Sequence, residues 1–237
     1  MSVLIEFWHK IAGTQPVPPV WIVGVSGLVA LLVVCTDASW RLTRNAITIA
    51  HEGGHALVSI LSGRRLDGIR LHADTSGVTY SRGRPTGPGI VFTAAAGYIT
   101  PSLLGAAAAW LLASRHVTAM LWLALVLLVA TLLVIRNAYG ALAVLVTAGA
   151  VLAVSWLASA EVQSLFAYAC CWFLLLGGIR PVFELSRRRR RVSDADQLAR
   201  LTRVPAGLWQ FLFAVIALAA LALGAWLLVP GRHPLAG

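Results

Sequence analysis

The sequence predicts an all-α polytopic membrane protein of about seven transmembrane helices with one small β-hairpin. Composition gives the solvent: 59% of the 237 residues are apolar and only 12% are charged, against roughly 45–50% and ~25% in soluble domains. Such a chain cannot cover its apolar surface with its own polar groups, so lipid must do so. Length and spacing give the helix count, because a bilayer crossing takes ~20 mostly apolar residues. One alternating stretch gives the hairpin.

Residues 1–16 mix Glu6, Trp8, His9 and Lys10 with apolar side chains. They read as an interfacial amphipathic segment rather than a cleavable leader. The predicted spans are Val17–Thr36, Asn45–Leu61, Pro88–Ala113, Val117–Ile135, Ala138–Ala158, Val162–Phe183 and Ala206–Val229. Gly97 and Pro101 predict a kink in the third. The fourth and fifth must be separated by a turn at Arg136-Asn137-Ala138-Tyr139-Gly140, since one helix of their joint length would be about 60 Å, twice the bilayer core. Between the second and third spans, residues 68–83 alternate around Asp74-Thr75-Ser76-Gly77, which predicts a β-hairpin. The whole is expected to be one membrane domain, with a core over 45–209 and an Arg-rich loop over 184–205.

The formal charge of +10 reads as a topology signal rather than a nucleic-acid interface, so no nucleic-acid partner is expected. With seven spans, 15 of the 19 basic residues fall on the side holding the N-terminus, the hairpin, the 136–140 turn and the Arg187–Arg191 run. Arg41, Arg44, Arg115 and Arg232 fall on the other. Positive charge stays inside, so the N-terminus and hairpin are expected in the cytoplasm, the C-terminus outside, and the chain in the plasma membrane. Cys35, Cys170 and Cys171 form no CxxC pair and read as small apolar residues.

The chemistry-bearing motif is His51-Glu52-Gly53-Gly54-His55. Side chains four apart share a helix face, so both imidazoles can bind one metal. Glu52 can hold a water there and act as general base. Three ionisable groups within five residues of an apolar span are costly in lipid unless paired or bathed by a cavity. Interhelical hydrogen bonding without a metal is the bland alternative. Gly53 and Gly54 serve either close helix packing or room for a substrate.

A third ligand should come from the same side. Asp37, His116, Glu161 and His233 fall on the far side; Glu6 and His9 lie on the surface segment; His72 and Asp74 would require the hairpin to fold back; Glu184 adjoins the arginines. Ser193-Asp194-Ala195-Asp196 remains. Ser193-x-x-Asp196 reads as a capping box opening a helix over Asp194–Thr202. That gives Asp196 a local task and leaves Asp194 as the preferred ligand, with Asp196 the alternative. Asn137, at the turn after the fourth span, is a candidate oxyanion donor, with helix capping its other reading.

HEGGH, then TSGVTYSRGRPTGPG, GYITPSLLG, RNAYG and SDADQLARLTRVP, resemble the M50B-like branch of the site-2 protease family from about Asn45 to Trp209. The resemblance implies an intramembrane zinc metalloprotease. It would carry one zinc ion on His51, His55 and Asp194, use Glu52 as catalytic base, and act on membrane-protein substrates with a transmembrane segment. The chain departs from better-known members in lacking an LDG motif on a later span. Leu66-Asp67-Gly68 heads the hairpin and reads as a decoy. A non-catalytic binding or regulatory relative is the main rival function. A small transporter is a third, although no repeated halves are visible. Oligomeric state leaves no trace in the sequence.

Overall fold

The computed structural model describes residues 5, 8, 9, 11–187 and 193–229. The predicted arginine run beyond Arg187 and the C-terminal residues Arg232 and His233 lie outside them, as does most of the segment 1–10. The order is α1 (Val20–Cys35), α2 (Asp37–Leu61), β1 (Arg65–Leu71), β2 (Gly77–Arg82), α3 (Pro88–Ala113), α4 (Val117–Val134), α5 (Ala138–Leu157), α6 (Ala160–Arg187), α7 (Asp194–Thr202) and α8 (Ala206–Leu228). Helices α3, α4, α5, α6 and α8 are each long and apolar enough to cross a membrane.

Helices α1 and α2 do not form two further spans. They meet at 102°, with Thr36 extended at the elbow (φ −90°, ψ 122°). Asp37, Arg41, Arg44, His51 and Glu52 give α2 a polar face that hydrocarbon would not accept, whereas α1 is apolar all round. The elbow is pinned to the C-terminal part of α6: Arg180 donates to the Val34 carbonyl and pairs with Asp37. Glu184 accepts from Arg180 at 3.1 Å and from the Trp40 indole at 3.2 Å, and lies 3.6 Å from Arg44. At its other end α2 leads into the hairpin. The bent pair therefore makes at most one crossing, which gives five or six candidate spans among the described residues in place of about seven.

This corrects the predicted sidedness. Gln15, just ahead of α1, donates from its backbone to Arg115 at 2.8 Å and from its amide to Thr118 at 3.1 Å, and accepts from the Val117 amide at 2.7 Å. The segment around Gln15 thus shares the α3–α4 end of the bundle, opposite the hairpin. Asp37, Arg41 and Arg44 move the other way. Of the described basic residues, Arg115 alone remains with the N-terminal segment, so the charge asymmetry is stronger than seven spans implied. Seven spans follow only if α1 and α2 each cross, whereas the bent pair is at most one span.

The hairpin matches expectation, two antiparallel strands with an irregularity between Leu66 and Gly68. Gly68 takes φ +141° there, a conformation closed to residues with a Cβ. The outer edge of β1 docks on the α4–α5 turn: Ile69 bridges Ile135 and accepts from the Arg136 amide at 2.8 Å. In the bundle core α3 packs against α2, α6 and α8. Pro88 stands in its first turn, where no N–H partner is needed, and Pro101 lies inside it.

With the three native cysteines replaced, cysteines introduced at Thr14 and at Ser76 should react with an impermeant thiol reagent from opposite faces of a sealed membrane. Labelling from one face would return the N-terminus to the hairpin side.

Candidate metal centre

Regular helix geometry at residues 51–55 turns both imidazoles of α2 to one side, with Nε2 of His51 and His55 3.1 Å apart. Nδ1 of His55 lies 2.7 Å from the Thr93 carbonyl. A carbonyl only accepts, so Nδ1 carries the proton and the Nε2 lone pair of the neutral ring faces His51. A hydrogen bond to the remote ring nitrogen that fixes the tautomer is the usual support of a metal-ligating histidine.

The third group arrives on α7. Ser193 caps this helix with both halves of a capping box in place: the Asp196 amide donates to Ser193 Oγ at 3.2 Å, and the Ser193 amide donates to Asp196 Oδ2 at 2.9 Å. Asp196 is therefore occupied with its own helix, and these bonds hold its carboxyl below the usual carboxylate range. Asp194, two positions earlier, is carried inward. Its Oδ2 stands 3.1 Å from His51 Nε2 and 3.2 Å from His55 Nε2. Burial alone would raise the Asp194 carboxyl, but the two imidazoles outweigh it and hold the carboxyl well below its ordinary range.

These donors suit a metal ion. Tetrahedral zinc with bonds of about 2.0–2.1 Å would space its ligand atoms roughly 3.3 Å apart, close to the separations observed. Asp194 Oδ2 is buried and accepts no hydrogen bond of ordinary geometry, an expensive state for an anionic oxygen without a cation. Room is provided by Gly97 on α3: a Cβ there would lie 2.6 Å from His51 Nε2 and closer still to His55 Nε2. Gly54 has a different task, since a Cβ would collide with Thr100 and sit 3.1 Å from the Ala96 carbonyl, so it allows α2 and α3 to touch. Gly53 has only Thr131 at 3.8 Å.

Glu52 is 3% exposed and is gripped by the hairpin. Thr79 donates to its Oε2 at 2.6 Å, and Gly77 lies so close that a Cβ would stand 2.5 Å from Glu52 Cγ. Thr48 on α2 ties down the hairpin turn by donating to the Thr75 carbonyl at 2.9 Å. Strand β2 thus roofs the face of α2 that carries Thr48 and Glu52. Between them opens a cavity of about 810 Å³ whose walls include His51, Glu52, His55 and Asp194.

The remaining predicted residues lie elsewhere. Asn137 precedes α5 without capping it. Its amide donates to the Leu71 carbonyl at 2.7 Å and accepts from the Leu71 amide at 3.2 Å, which extends the β1 edge. It is not among the cavity residues. Asp67 of the LDG triplet forms a bidentate pair with Arg82, both contacts 2.7 Å, and these hydrogen bonds lower its carboxyl. Asp74 accepts within the hairpin turn from Ser76, and Glu184 serves the elbow. Sequence reasoning missed Thr79, Gly77, Thr93 and Gly97. Only Gly97, a glycine four residues before a proline in an apolar helix, left a signal.

Fold and site together define a multi-pass membrane protein in which His51, His55 and Asp194 could hold a metal ion beside a buried glutamate. The chain belongs to the Peptidase M50B-like family, which matches residues 24–224, nearly the whole bundle. Comparison with curated proteins and with solved structures gives no match.

Asp194→Ala and Gly97→Ala should each abolish stoichiometric zinc binding in purified protein. Asp196→Ala should retain the metal and lose about 1 kcal/mol of stability through its cap. Metal content and thermal unfolding measured together distinguish the two carboxylates, and metal loss in Asp196→Ala alone would exchange their roles.

Proposed function

We propose that the chain is an intramembrane zinc metallopeptidase that hydrolyses peptide bonds of membrane-protein substrates next to the bilayer boundary. The observation that carries this reading is the convergence of His51, His55 and Asp194 with Glu52 buried beside them. A purely structural metal site has no use for that second carboxylate. Zinc held by the three residues supplies Lewis acidity, lowering the pKa of water towards ~7. Glu52 takes the proton from the attacking water and returns it to the leaving amine nitrogen as the C–N bond breaks. Thr79 holds one carboxylate oxygen, leaving the other to the reaction.

Gly97 stands sixteen residues before the far end of α3, a rise of about 24 Å in a hydrocarbon core of ~30 Å. Counted from that end, the centre lies just under the opposite membrane surface, so substrates would be cut near the mouth of their span rather than at its middle. The concentration of basic residues at that end supports a cytoplasmic side for it by the positive-inside rule, with the segment before α1 and the end of α8 on the outer side of a plasma membrane. A helix hides its peptide bonds, so a substrate must bind extended. Strand β2 has an edge for it: β1 covers one side, while Gly77, Val78, Thr79 and Ser81 line the cavity with no strand beside them among the described residues. Main-chain pairing along that edge would present the bond to Glu52.

Glu52→Gln should retain wild-type zinc and lose cleavage of a model transmembrane substrate. Retained cleavage would remove Glu52 from its role, and zinc-free wild-type protein would remove the metal. Thr79→Val should lower kcat about tenfold with KM and zinc unchanged, since one hydrogen bond to a charged group contributes ~1.5–3 kcal/mol. Thr79→Ser should restore most of the rate.

A further inference from the structure

Hydrolysis places a negative charge on the substrate's carbonyl oxygen when water adds to the carbon, and a pre-placed donor is needed for it. Asn137, the donor suggested by the sequence, is bound to Leu71 instead. Most side-chain donors around the cavity are also committed. Thr48 donates to Thr75, Thr79 to Glu52 and Thr93 to the Gly89 carbonyl at 2.8 Å. Arg64 donates to Ser81 and to the Arg84 carbonyl, and Ser193 to Asp196. Three cavity residues have hydroxyl or amide donors without an acceptor among the described residues: Ser81, Gln197 and Tyr98.

We propose that Tyr98 is a further catalytic residue, the phenol that donates to the developing oxyanion. This rests on the peptidase reading above. Tyr98 directly follows Gly97, the residue whose missing Cβ makes room at the metal ligands. Its ring meets the His51 imidazole edge-on, with centroids 4.8 Å apart and planes at 89°. Its other side stacks on Phe213 of α8, 5.3 Å away at 19°. The ring is thus fixed between a metal ligand and the bundle wall, Tyr98 lines the cavity, and its hydroxyl has no acceptor among the described residues. Ser81 belongs to the hairpin, two residues beyond Thr79, and Gln197 lies one turn beyond Asp194; neither touches a ligand's ring. A phenol also suits the task because it donates without adding charge. In the balanced step, water oxygen bonds to the carbonyl carbon and Glu52 takes its proton. Tyr98 keeps its own proton and shares it with the carbonyl oxygen, then the C–N pair leaves on nitrogen and receives the proton from Glu52.

The test is Tyr98→Phe in full-length protein, which preserves the ring and both aromatic contacts. Bound zinc, thermal stability, KM and kcat would be read on the model substrate, with the affinity of a phosphinic peptide that mimics the tetrahedral state. The expected result is full zinc and stability, KM within twofold, and kcat and phosphinic affinity each reduced about 100-fold, the usual effect of removing one oxyanion donor. A kcat within threefold of wild type overturns the proposal. Loss of zinc with turnover also overturns it, by making Tyr98 a support for His51. So does a comparable loss in Gln197→Leu with Tyr98→Phe unaffected. Wild type and Glu52→Gln in the same assay separate the two levels: no cleavage by zinc-loaded wild type sinks the peptidase reading itself, and cleavage retained in Glu52→Gln removes only Glu52 from its role, whatever Tyr98 does.

Discussion

Two imidazole nitrogens and a carboxylate oxygen stand within 3.2 Å of one another, and the surrounding structure is arranged to keep them there. Lone pairs so placed repel unless a cation or a proton lies among them. Each of the three is therefore held from outside the cluster. His51 and His55 are fixed by the α2 helix, and His55 also by the Thr93 carbonyl. Asp194 is fixed by the capping box of α7, which engages its neighbour Asp196 and leaves Asp194 to point inward. Gly97 clears the space they face. The hairpin supplies the last constraint by holding Glu52 between Thr79 and Gly77.

The elbow between α1 and α2 follows from the same demand. A helix carrying Arg44, His51 and Glu52 on one face is costly as an independent span in lipid; it bends by 102° from α1 and packs that face under the hairpin and against α3 and α6. Its charges then pair locally, with Arg180 and Glu184 at the start and the Thr48–Thr75 bond nearer the site. The cavity is consequently polar in its walls although the bundle around it is apolar. Beyond the elbow, α1 leads back to Gln15, whose side-chain oxygen accepts from the amides that open α4.

Much of this was legible from local patterns. The five long spans were placed almost to the residue, because each is an apolar run of bilayer length bounded by polar residues. The hairpin followed from alternation around a turn. HEGGH and the Ser193–Asp196 spacing were readable because helical periodicity and capping are properties of three to five consecutive residues. The second span was misread because Asn45–Leu61 is apolar enough to pass as a crossing when composition is averaged. Its amphipathic face and the elbow at Thr36 emerge only once Arg180 and Glu184 are brought against it. Asn137 reads in the sequence as an oxyanion donor or a helix cap, because nothing nearby announces Leu71 as its partner, 66 residues away.

By itself the sequence determined the solvent, the long helices, the hairpin, the pair of imidazoles one turn apart and the local cap that sets Asp194 apart from Asp196. These are short-range matters of hydropathy, periodicity and hydrogen bonding within a few residues. Only the tertiary structure decided which carboxylate reaches the imidazoles, what grips Glu52, which glycine makes room, and which side of the bundle holds the N-terminus. Each of those depends on where separate helices stop against one another, and that is fixed by packing among residues tens of positions apart, which no local pattern encodes.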